Sequence, residues 1–357
     1  MRIPFWQSEQ AHPTKAIDRL QSSRSFRRIM GLAVTGNFEA VVGAIVLVRG
    51  TGKHVRLKEL GSVEVEFEDS AREVFLDLMG NQNPSESDIQ FASAELACYQ
   101  TNCCKTLLNQ TGVNKNDLVA IGVTDPGVSY LDFDGNEQYR SLVNSAELAK
   151  QTGITIVDRF RERDRVDGGN GQNLFALAYW FLLADRDPRI AEENRLLVWR
   201  NELGPVAYYL PASDGLDAVL PAIQVRQFSR DESTRDASTC AAWIDELVQW
   251  GRAIDANLKL RVILDESIKV PEWSTDECAI SGLEEFEVSG SAITAVASAF
   301  LANAFVDQLP VSIPDLTGNQ TPRILGSLTP GSLVNFRNFV LETSKVTPSI
   351  MKLRDAV

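Results

Sequence analysis

The sequence predicts an α/β fold made of two successive units, and three observations lead to this prediction. A chain of 357 residues with 44% hydrophobic side chains is long enough for about two domains. Its first part has short strand-like runs followed by an amphipathic helix. A similar order of helices and strands begins again after Gly153. The repetition is one of architecture, because the two halves show no repeated sequence.

The first unit opens with three strand-like runs separated by short turns that contain glycine, which predicts a β-meander. Ser85 and Asp88 then form a capping-box pattern, which predicts the start of a long amphipathic helix that ends near Gly112. A further strand and a short helix that ends at Gly153 complete the unit. The three runs of the meander are residues 31–35, 41–48 and 55–65.

The second unit contains three segments with the apolar pattern of helices and strands between them. In one helix, the spacing of Trp243, Leu247 and Trp250 predicts a buried face. Two such α/β units predict an actin-like fold (RNase H-like, sugar-kinase type), in which two related domains flank a cleft. The predicted helices lie at 174–184, 238–256 and 292–306, and the strands at 196–199, 206–210, 219–225 and 260–264.

Composition excludes several classes of function. With 35 basic and 48 acidic residues the net charge is −13, so nucleic acid is a poor partner. The apolar runs are too short or too interrupted to predict a membrane span, and the N-terminus lacks a signal-peptide pattern, so we expect a cytoplasmic protein. Two histidines leave almost no base for a catalytic triad, and five cysteines without C-x-x-C spacing predict free thiols and no metal site.

The ends of the chain differ from its middle. Residues 1–28 carry six basic and two acidic side chains with few apolar positions, which predicts an arm ahead of the fold. We therefore expect an N-terminal arm over 1–28, a first domain over 29–152 plus about 316–335, a shortened second domain over 153–315, and a C-terminal tail over 336–357.

Two blocks of sequence resemble the anhydro-N-acetylmuramic acid kinase family. Residues 152–164 are TGITIVDRFRERD, with GGNG at 168–171. They are similar to the family stretch T-G-I-T-V-V-x-D-F-R-x-x-D-x-x-x-G-G-Q-G-A-P-L. Near the C-terminus, LTGN at 316–319 and ILGSLTPG at 324–331 are similar to V-T-G-A-S-x-x-x-V-L-G-x-I-x-P-G. The resemblance extends from about Arg28 to Gly331.

The resemblance implies an ATP-dependent enzyme, a homodimer of two actin-like domains. Such an enzyme opens the anhydro bridge of a cell-wall sugar with water and phosphorylates the product. This chemistry requires a glycine-rich turn that holds phosphate, an adenosine pocket, and a carboxylate base that activates water.

The phosphate-side motifs are only partly present. The family's M-S-G-T-S-L-D-G falls on residues 34–41, where Gly36 alone is kept and Phe38 stands in the place of a small serine. Gly36 is either a vestigial nucleotide-binding residue or simply part of a turn between strands. The sugar-side H-G-Q-T falls on residues 124–127 and loses its histidine, so Asp125 and its neighbours resemble an ordinary turn.

The adenine-side and base motifs are also altered. Where the family has C-G-G-G-x-x-N, residues 265–267 are Asp-Glu-Ser, which would crowd and repel a triphosphate. The nearest candidate for the base in Y-D-T-G-P-G-N is Asp217, which is either that base or a turn residue beside Gly215. Nucleotide binding in the family manner is therefore not expected.

Arg161 and Asp164 remain as candidate ligand-binding residues. They lie three residues apart, just after a predicted strand. They either form an ion pair that fixes the corner between the domains or keep a contact with a ligand. The sharp turns of the backbone would account for Gly168, Gly169 and Gly171.

These observations favour a catalytically degenerate homologue that acts by binding, as a pseudokinase, interaction protein or sensor. We expect no cofactor for it, a homodimer, and a cell-wall sugar or a protein as partner. The alternative is an active ATP-dependent sugar kinase of cell-wall recycling, with Asp217 as base and Glu39 or Asp158 assisting magnesium. A third hypothesis is a sensor of small sugars or muropeptides that uses Arg161 without ATP.

Overall fold

The protein is a mixed α/β chain, as predicted. The computed structural model describes residues 26–35, 38–81, 83–131, 137–186, 193–201, 204–212, 223–227, 237–254, 259–264, 278–312 and 314–345. The strands are β1 Phe26–Val34, β2 Ala40–Arg49, β3 Arg56–Glu66, β4 Leu118–Thr124, β5 Val128–Leu131, β6 Glu137–Arg140, β7 Ile156–Asp158, β8 Glu193–Asn201, β9 Gly204–Leu210, β10 Gln224–Gln227, β11 Lys259–Leu264, β12 Cys278–Gly282 and β13 Ser327–Thr329.

The helices alternate with these strands along the chain. They are α1 Asp69–Gly80, α2 Glu86–Thr111, α3 Ser145–Thr152, α4 Phe160–Val166, α5 Ala176–Leu183, α6 Ala237–Ile254, α7 Ile293–Val306, α8 Pro314–Thr317 and α9 Leu333–Ser344. Short 3₁₀ turns lie at Gly52–His54, Lys115–Asp117 and Leu283–Phe286.

A six-stranded sheet contains the predicted meander. Its strand order is β13-β7-β4-β1-β2-β3. Strands β1, β2 and β3 pair antiparallel, which confirms the meander. Strands β1, β4 and β7 run parallel, and β13 pairs antiparallel with β7. The carboxyl ends of β1, β4 and β7 therefore meet at one edge of this sheet.

The later strands form a second sheet of five strands in the order β10-β9-β8-β11-β12. Here β8, β11 and β12 are parallel, while β8, β9 and β10 form an antiparallel meander. Strands β5 and β6 make a separate hairpin. The second sheet thus combines an antiparallel meander with parallel strands, as the first does.

The long helix α2 confirms the capping-box prediction. The hydroxyl of Ser85 accepts a hydrogen bond from the backbone N–H of Asp88, whose side chain accepts one from the N–H of Ser85. Gly112 ends the helix with a φ of 66°, a left-handed conformation that glycine adopts without steric cost. Cys103 and Cys104, on the buried face of this helix, are free thiols.

Several elements were not predicted from the sequence. Helix α4 is short and mostly charged, and only Phe160 and Asp164 on it are buried. Helix α9 extends from Leu333 through Ser344, so the first part of the predicted tail at 336–357 is helical. In α6, Leu247 is buried and Trp250 packs half-buried against the same cluster, while the side chain of Trp243 lies outside the described residues.

The division into two domains stays a prediction. Strand β7 follows the predicted boundary at residue 153 but belongs to the first sheet. Helix α7, which was predicted within the second domain, packs on β1, β2 and β4 of that sheet and also on α5. None of the helices in the described part of the chain combines the length and apolar character needed to cross a membrane.

Helix α7 lies unusually close to the first sheet because glycines face it. A Cβ atom on Gly31 of β1 would be 1.8 Å from the carbonyl oxygen of Ala295. A Cβ atom on Gly122 of β4 would be 2.1 Å from the carbonyl oxygen of Ser298. Twelve of the fourteen residues of α7 are buried, so this contact forms the centre of the largest hydrophobic cluster.

A buried ion pair holds the end of α7 to the start of β1. Arg27 donates to Asp307 at 2.6 Å, and both side chains are almost fully buried. Arg27 also donates to the carbonyl of Gly50, while the N–H of Gly52 and the side chain of Asn303 donate to Asp307. Breaking such a pair leaves an uncompensated buried charge, so these bonds fix α7 in position.

We predict that Gly122→Ala destabilises the fold by about 3 kcal/mol, because α7 must move away from β4 to make room for the methyl group. Gly80→Ala is the matched control, since no atom lies within 4 Å of its Cβ position. It should change the free energy of unfolding by less than about 1 kcal/mol. Urea unfolding of both variants tests this, and equal midpoints would contradict the packing described.

Candidate functional site

The candidate site lies where the parallel strands of the first sheet end. Ligands in open α/β sheets bind at the carboxyl ends of the strands. Here that edge brings together the turn from Thr35 to Ala40 after β1, the turn from Thr124 to Gly127 after β4, and the residues that follow β7. These are the segments in which the sequence placed the first turn, the sugar-side motif and the corner.

The first turn contains a hydrophobic residue, Phe38, whose side chain is buried. Phe38 is fully buried and has a φ of 48°, a left-handed conformation unusual for a bulky residue. Its ring stacks on Phe75 at 4.9 Å and lies 6.3 Å from Phe67. The burial of this ring in an aromatic cluster offsets the backbone strain. Gly36 itself lies outside the described residues.

Three backbone N–H groups of this turn donate hydrogen bonds within the turn. The hydroxyl of Thr35 accepts hydrogen bonds from Glu39 N and Ala40 N, each at 2.9 Å. The N–H of Phe38 donates to the carbonyl of Thr35 at 3.0 Å. A phosphate-holding turn presents such N–H groups to the ligand. This turn instead directs three of them to Thr35.

The second turn is held by Asp125. Its carboxylate accepts hydrogen bonds from the hydroxyl of Ser141 at 2.9 Å and from Leu142 N at 2.7 Å. Burial raises the pKa of Asp125 to about 6, against the lowering effect of these two hydrogen bonds. Asp125 therefore ties the end of β4 to the segment between β6 and α3.

Arg161 contacts two backbone segments and an aromatic ring. Its Nε donates to the carbonyl of Gly171 at 3.1 Å and its Nη1 to the carbonyl of Pro126 at 3.0 Å. The guanidinium also lies 4.8 Å from the ring centre of Tyr139. Arg161 does not form the predicted ion pair with Asp164, because each of the two side chains is directed to other partners.

Asp164 is the centre of a buried polar cluster. Its carboxylate accepts hydrogen bonds from Gly171 N at 2.9 Å, Ser312 Oγ at 2.9 Å and Asn319 Nδ2 at 2.6 Å. The hydroxyl of Ser312 is also bonded to that of Thr317. The two blocks that carry the family resemblance thus meet at this carboxylate, although Asp164 and Asn319 are far apart in the sequence.

The glycine loop has to pass close to these two side chains. A Cβ atom on Gly169 would be 2.1 Å from the Asp164 carboxylate, and one on Gly171 would be 2.5 Å from Cγ of Arg161. Gly171 also has a φ of 69°, so any other residue would be strained there. Space and conformation together account for both glycines.

The two carboxylates suggested as magnesium partners are engaged elsewhere. Glu39 is exposed and lies 3.6 Å from Arg72 of α1. Asp158 is buried and accepts a hydrogen bond from the hydroxyl of Ser145. Burial raises the pKa of Asp158 to about 6. Within the described residues, no three His, Cys, Asp or Glu side chains are grouped closely enough to hold a metal ion.

Sequence reasoning overlooked Arg159. In the family stretch given above, the residue before Phe-Arg is aspartate, and in this chain it is Arg159. Arg159 has a φ of 57° and is exposed, and it lines a groove of about 510 Å³ with Arg140 and Asn144. Alignment of residue 159 with the aspartate of the motif is the signal in the sequence that reveals this reversal of charge. Ser312, which binds Asp164, lies outside both motif blocks and carried no sequence signal.

Two other predicted segments cannot be placed. Asp217, the candidate base, and residues 265–267 on the adenine side lie outside the described residues. The site as described therefore consists of the first turn, the Asp125 turn, Arg159, and the corner built by Arg161 and Asp164.

Comparison with known proteins finds a match to one family over part of the chain. The sequence model of the anhydro-N-acetylmuramic acid kinase family matches residues 29–194, which include both turns and the corner. Over this region the chain is similar to members of that family. The mixed α/β character of the structure agrees with a fold of the sugar-kinase type.

Relatives that bear the name anhydro-N-acetylmuramic acid kinase match only part of the chain. The protein from Gloeobacter violaceus is 24% identical over 54% of this chain and 49% of its own length. That from Ralstonia nicotianae is 29% identical over 44% of this chain and 41% of its own length. That from Nitrosomonas europaea is 29% identical over 31% of each chain. The matched regions thus span between a third and a half of these relatives.

The pKa of Asp158 predicts how stability changes with pH. The ordinary pKa of 3.8 applies when the chain is unfolded, whereas the folded carboxyl ionises near pH 6. The folded state then holds more protons between these values, so the free energy of unfolding falls as the pH rises through this window and levels off above it.

We therefore predict that Asp158→Asn stabilises the protein at pH 8 by roughly 1–3 kcal/mol and has little effect at about pH 3.5, where the carboxyl is protonated in most folded and unfolded molecules. The amide still accepts the Ser145 hydrogen bond but carries no charge to bury. Asp77→Asn, at an exposed position of α1, serves as the control and should show no such difference. Urea unfolding at both pH values measures the effect. A gain of the same size at about pH 3.5 and pH 8 would rule out titration of Asp158 as its cause.

Proposed function

We propose that the protein is a catalytically degenerate member of the anhydro-N-acetylmuramic acid kinase family that acts by binding. The observation that carries this proposal is the first turn. Phe38 is buried against Phe67 and Phe75, and Thr35 accepts the N–H bonds of Glu39 and Ala40. A phosphate group would have to break those bonds before it gained any of its own.

The altered charge at the carboxyl edge supports the same proposal. Arg159 replaces a carboxylate in the family pattern, and a guanidinium cannot accept a proton from water near neutral pH. Asp158, beside it, is buried beneath the hydroxyl of Ser145. At this point of the edge the chain therefore offers a guanidinium where the family pattern has a carboxylate.

On this proposal, Arg161 and Asp164 keep the corner in shape without contacting a ligand themselves. Two of the guanidinium nitrogens of Arg161 and both carboxylate oxygens of Asp164 are already bonded within the protein. The partner would be a cell-wall sugar or another protein, bound without ATP or magnesium. We further propose a cytoplasmic homodimer, by analogy with the family.

An active ATP-dependent sugar kinase is the alternative, and the family match favours it as a candidate. The matched residues 29–194 include the turns on which phosphoryl transfer would depend, and the relatives carry the name of the enzyme. In that case Asp217 would be the base. Gly36 would contribute its backbone to a turn that opens when nucleotide binds.

We predict that ATP binds more weakly than about 1 mM, which corresponds to less than roughly 4 kcal/mol. Titration calorimetry with ATP and magnesium measures this, with the Ralstonia nicotianae relative as a positive control under the same conditions. Saturable binding at micromolar ATP would contradict the proposal. It would also show that the first turn rearranges around the phosphates.

We also predict no phosphorylation of anhydro-N-acetylmuramic acid by the parent protein or by Asp217→Asn. Removal of a working general base usually lowers the rate by about 10²- to 10⁴-fold. If the alternative holds, Asp217→Asn should therefore lose most of the turnover while its melting temperature stays nearly unchanged. Parent turnover that survives this substitution would exclude Asp217 as the base and disprove the degenerate assignment as well.

A further inference from the structure

The outer face of α9 is apolar and exposed. Leu333, Val334, Val340 and Leu341 are 65%, 66%, 49% and 59% exposed. In a helix of about 3.6 residues per turn, these positions fall on one side together with Arg337. The inner face of the same helix is already packed, since Phe339 and Asn335 are buried. The outer stripe is therefore additional to what holds α9 in the fold.

Arg337 lies in the middle of this stripe. It is exposed, and it makes no hydrogen bond or ion pair with any of the described residues. A guanidinium surrounded by aliphatic side chains suits a partner that offers an aromatic face, because the ring contacts both the charge and the apolar rim. The stripe thus favours an aromatic and aliphatic segment over a charged one.

The N-terminal arm enters the described structure beside this helix. Phe26, where the arm joins β1, is 59% exposed. With Asn338 and Glu342 of α9 it lines a groove of about 490 Å³. The chain that precedes Phe26 is therefore attached at the flank of α9.

The arm has the composition and the length that the stripe requires. Residues 1–25 begin with an apolar group, Ile3, Phe5 and Trp6, and are mostly polar after it, with Ile17 and Leu20 as the large aliphatic side chains. From Trp6 to Phe26 an extended chain reaches up to roughly 65 Å, whereas α9 is only about 18 Å long. The apolar group can thus reach the whole stripe of its own molecule.

A second copy of the chain is a poorer occupant of the stripe. The four exposed side chains offer an area on the order of 400 Å², about half of what each partner contributes to a standard interface. A tethered segment needs less area, because its effective concentration at the stripe is in the millimolar range. The small area and the nearby attachment point both favour the arm.

We propose that residues 1–25 bind the outer face of α9 in the same molecule, with Ile3, Phe5 and Trp6 on the aliphatic side chains and Trp6 over Arg337. The assignment is independent of the proposed function. It gives the N-terminal arm a binding surface within its own chain.

Hydrogen–deuterium exchange of the full-length protein tests the assignment. Deletion of residues 1–24 should raise the exchange rate of α9 amides by about tenfold or more, because the arm no longer holds the helix against local opening. Trp6→Ala should reproduce most of this change, and Gln7→Ala is its control within the arm. Val340→Asp should act like the deletion, whereas Leu76→Asp, on a comparably exposed position of α1, should leave α9 unchanged.

Three outcomes would overturn the proposal. Exchange in α9 that does not respond to the deletion would show that the arm does not cover it. Exposure of α9 on deletion of residues 346–357 instead would assign the stripe to the C-terminal tail. Protection that falls on dilution would assign it to a second copy. Unchanged exchange in α2 serves as the check that each variant is folded.

Discussion

The contact between helix α7 and the first sheet is the constraint on which the rest of the structure depends. It requires glycine at Gly31 and Gly122, since any side chain there would enter the backbone of α7. The same two strands end in the turns of the candidate site, so the packing of α7 sets the position of that edge. Helix α7 also packs against α5, which in turn contacts β8 and β9 of the second sheet. The close contact of α7 with β1 and β4 thus connects the candidate site, through α5, to the second sheet.

The polar groups named at the candidate site form hydrogen bonds within the protein. Thr35, Asp125, Arg161 and Asp164 direct their hydrogen bonds to its backbone and side chains. A turn that holds phosphate would instead present its N–H groups to the ligand. Arg159, at the edge of the groove beside the site, is the prominent charged group that is exposed. The described polar groups hold the turns and the corner together within the protein.

Much of the fold could be predicted because it follows local patterns. The meander, the capped helix α2 and the apolar helix α7 each have a strong periodic or capping signal. Helix α4 has no apolar stripe, and its position depends on contacts with the glycine loop, so local pattern could not reveal it. At the site, Arg161 and Asp164 were found through their motif, but their partners were not. The carbonyl of Pro126 and the hydroxyl of Ser312 become neighbours only when the chain is folded.

The cluster around Asp164 has a consequence for the order in which the protein is made. Asp164 obtains two of its donors from Ser312 and Asn319, which leave the ribosome nearly 150 residues later. Until then the carboxylate has no side-chain donor from that segment, and the corner must remain open to water. A nascent chain that ends before residue 312 would therefore have five strands of the first sheet but neither β13 nor the closed corner. Completion of this region is a late event of synthesis, when a chaperone or a binding partner could still reach it.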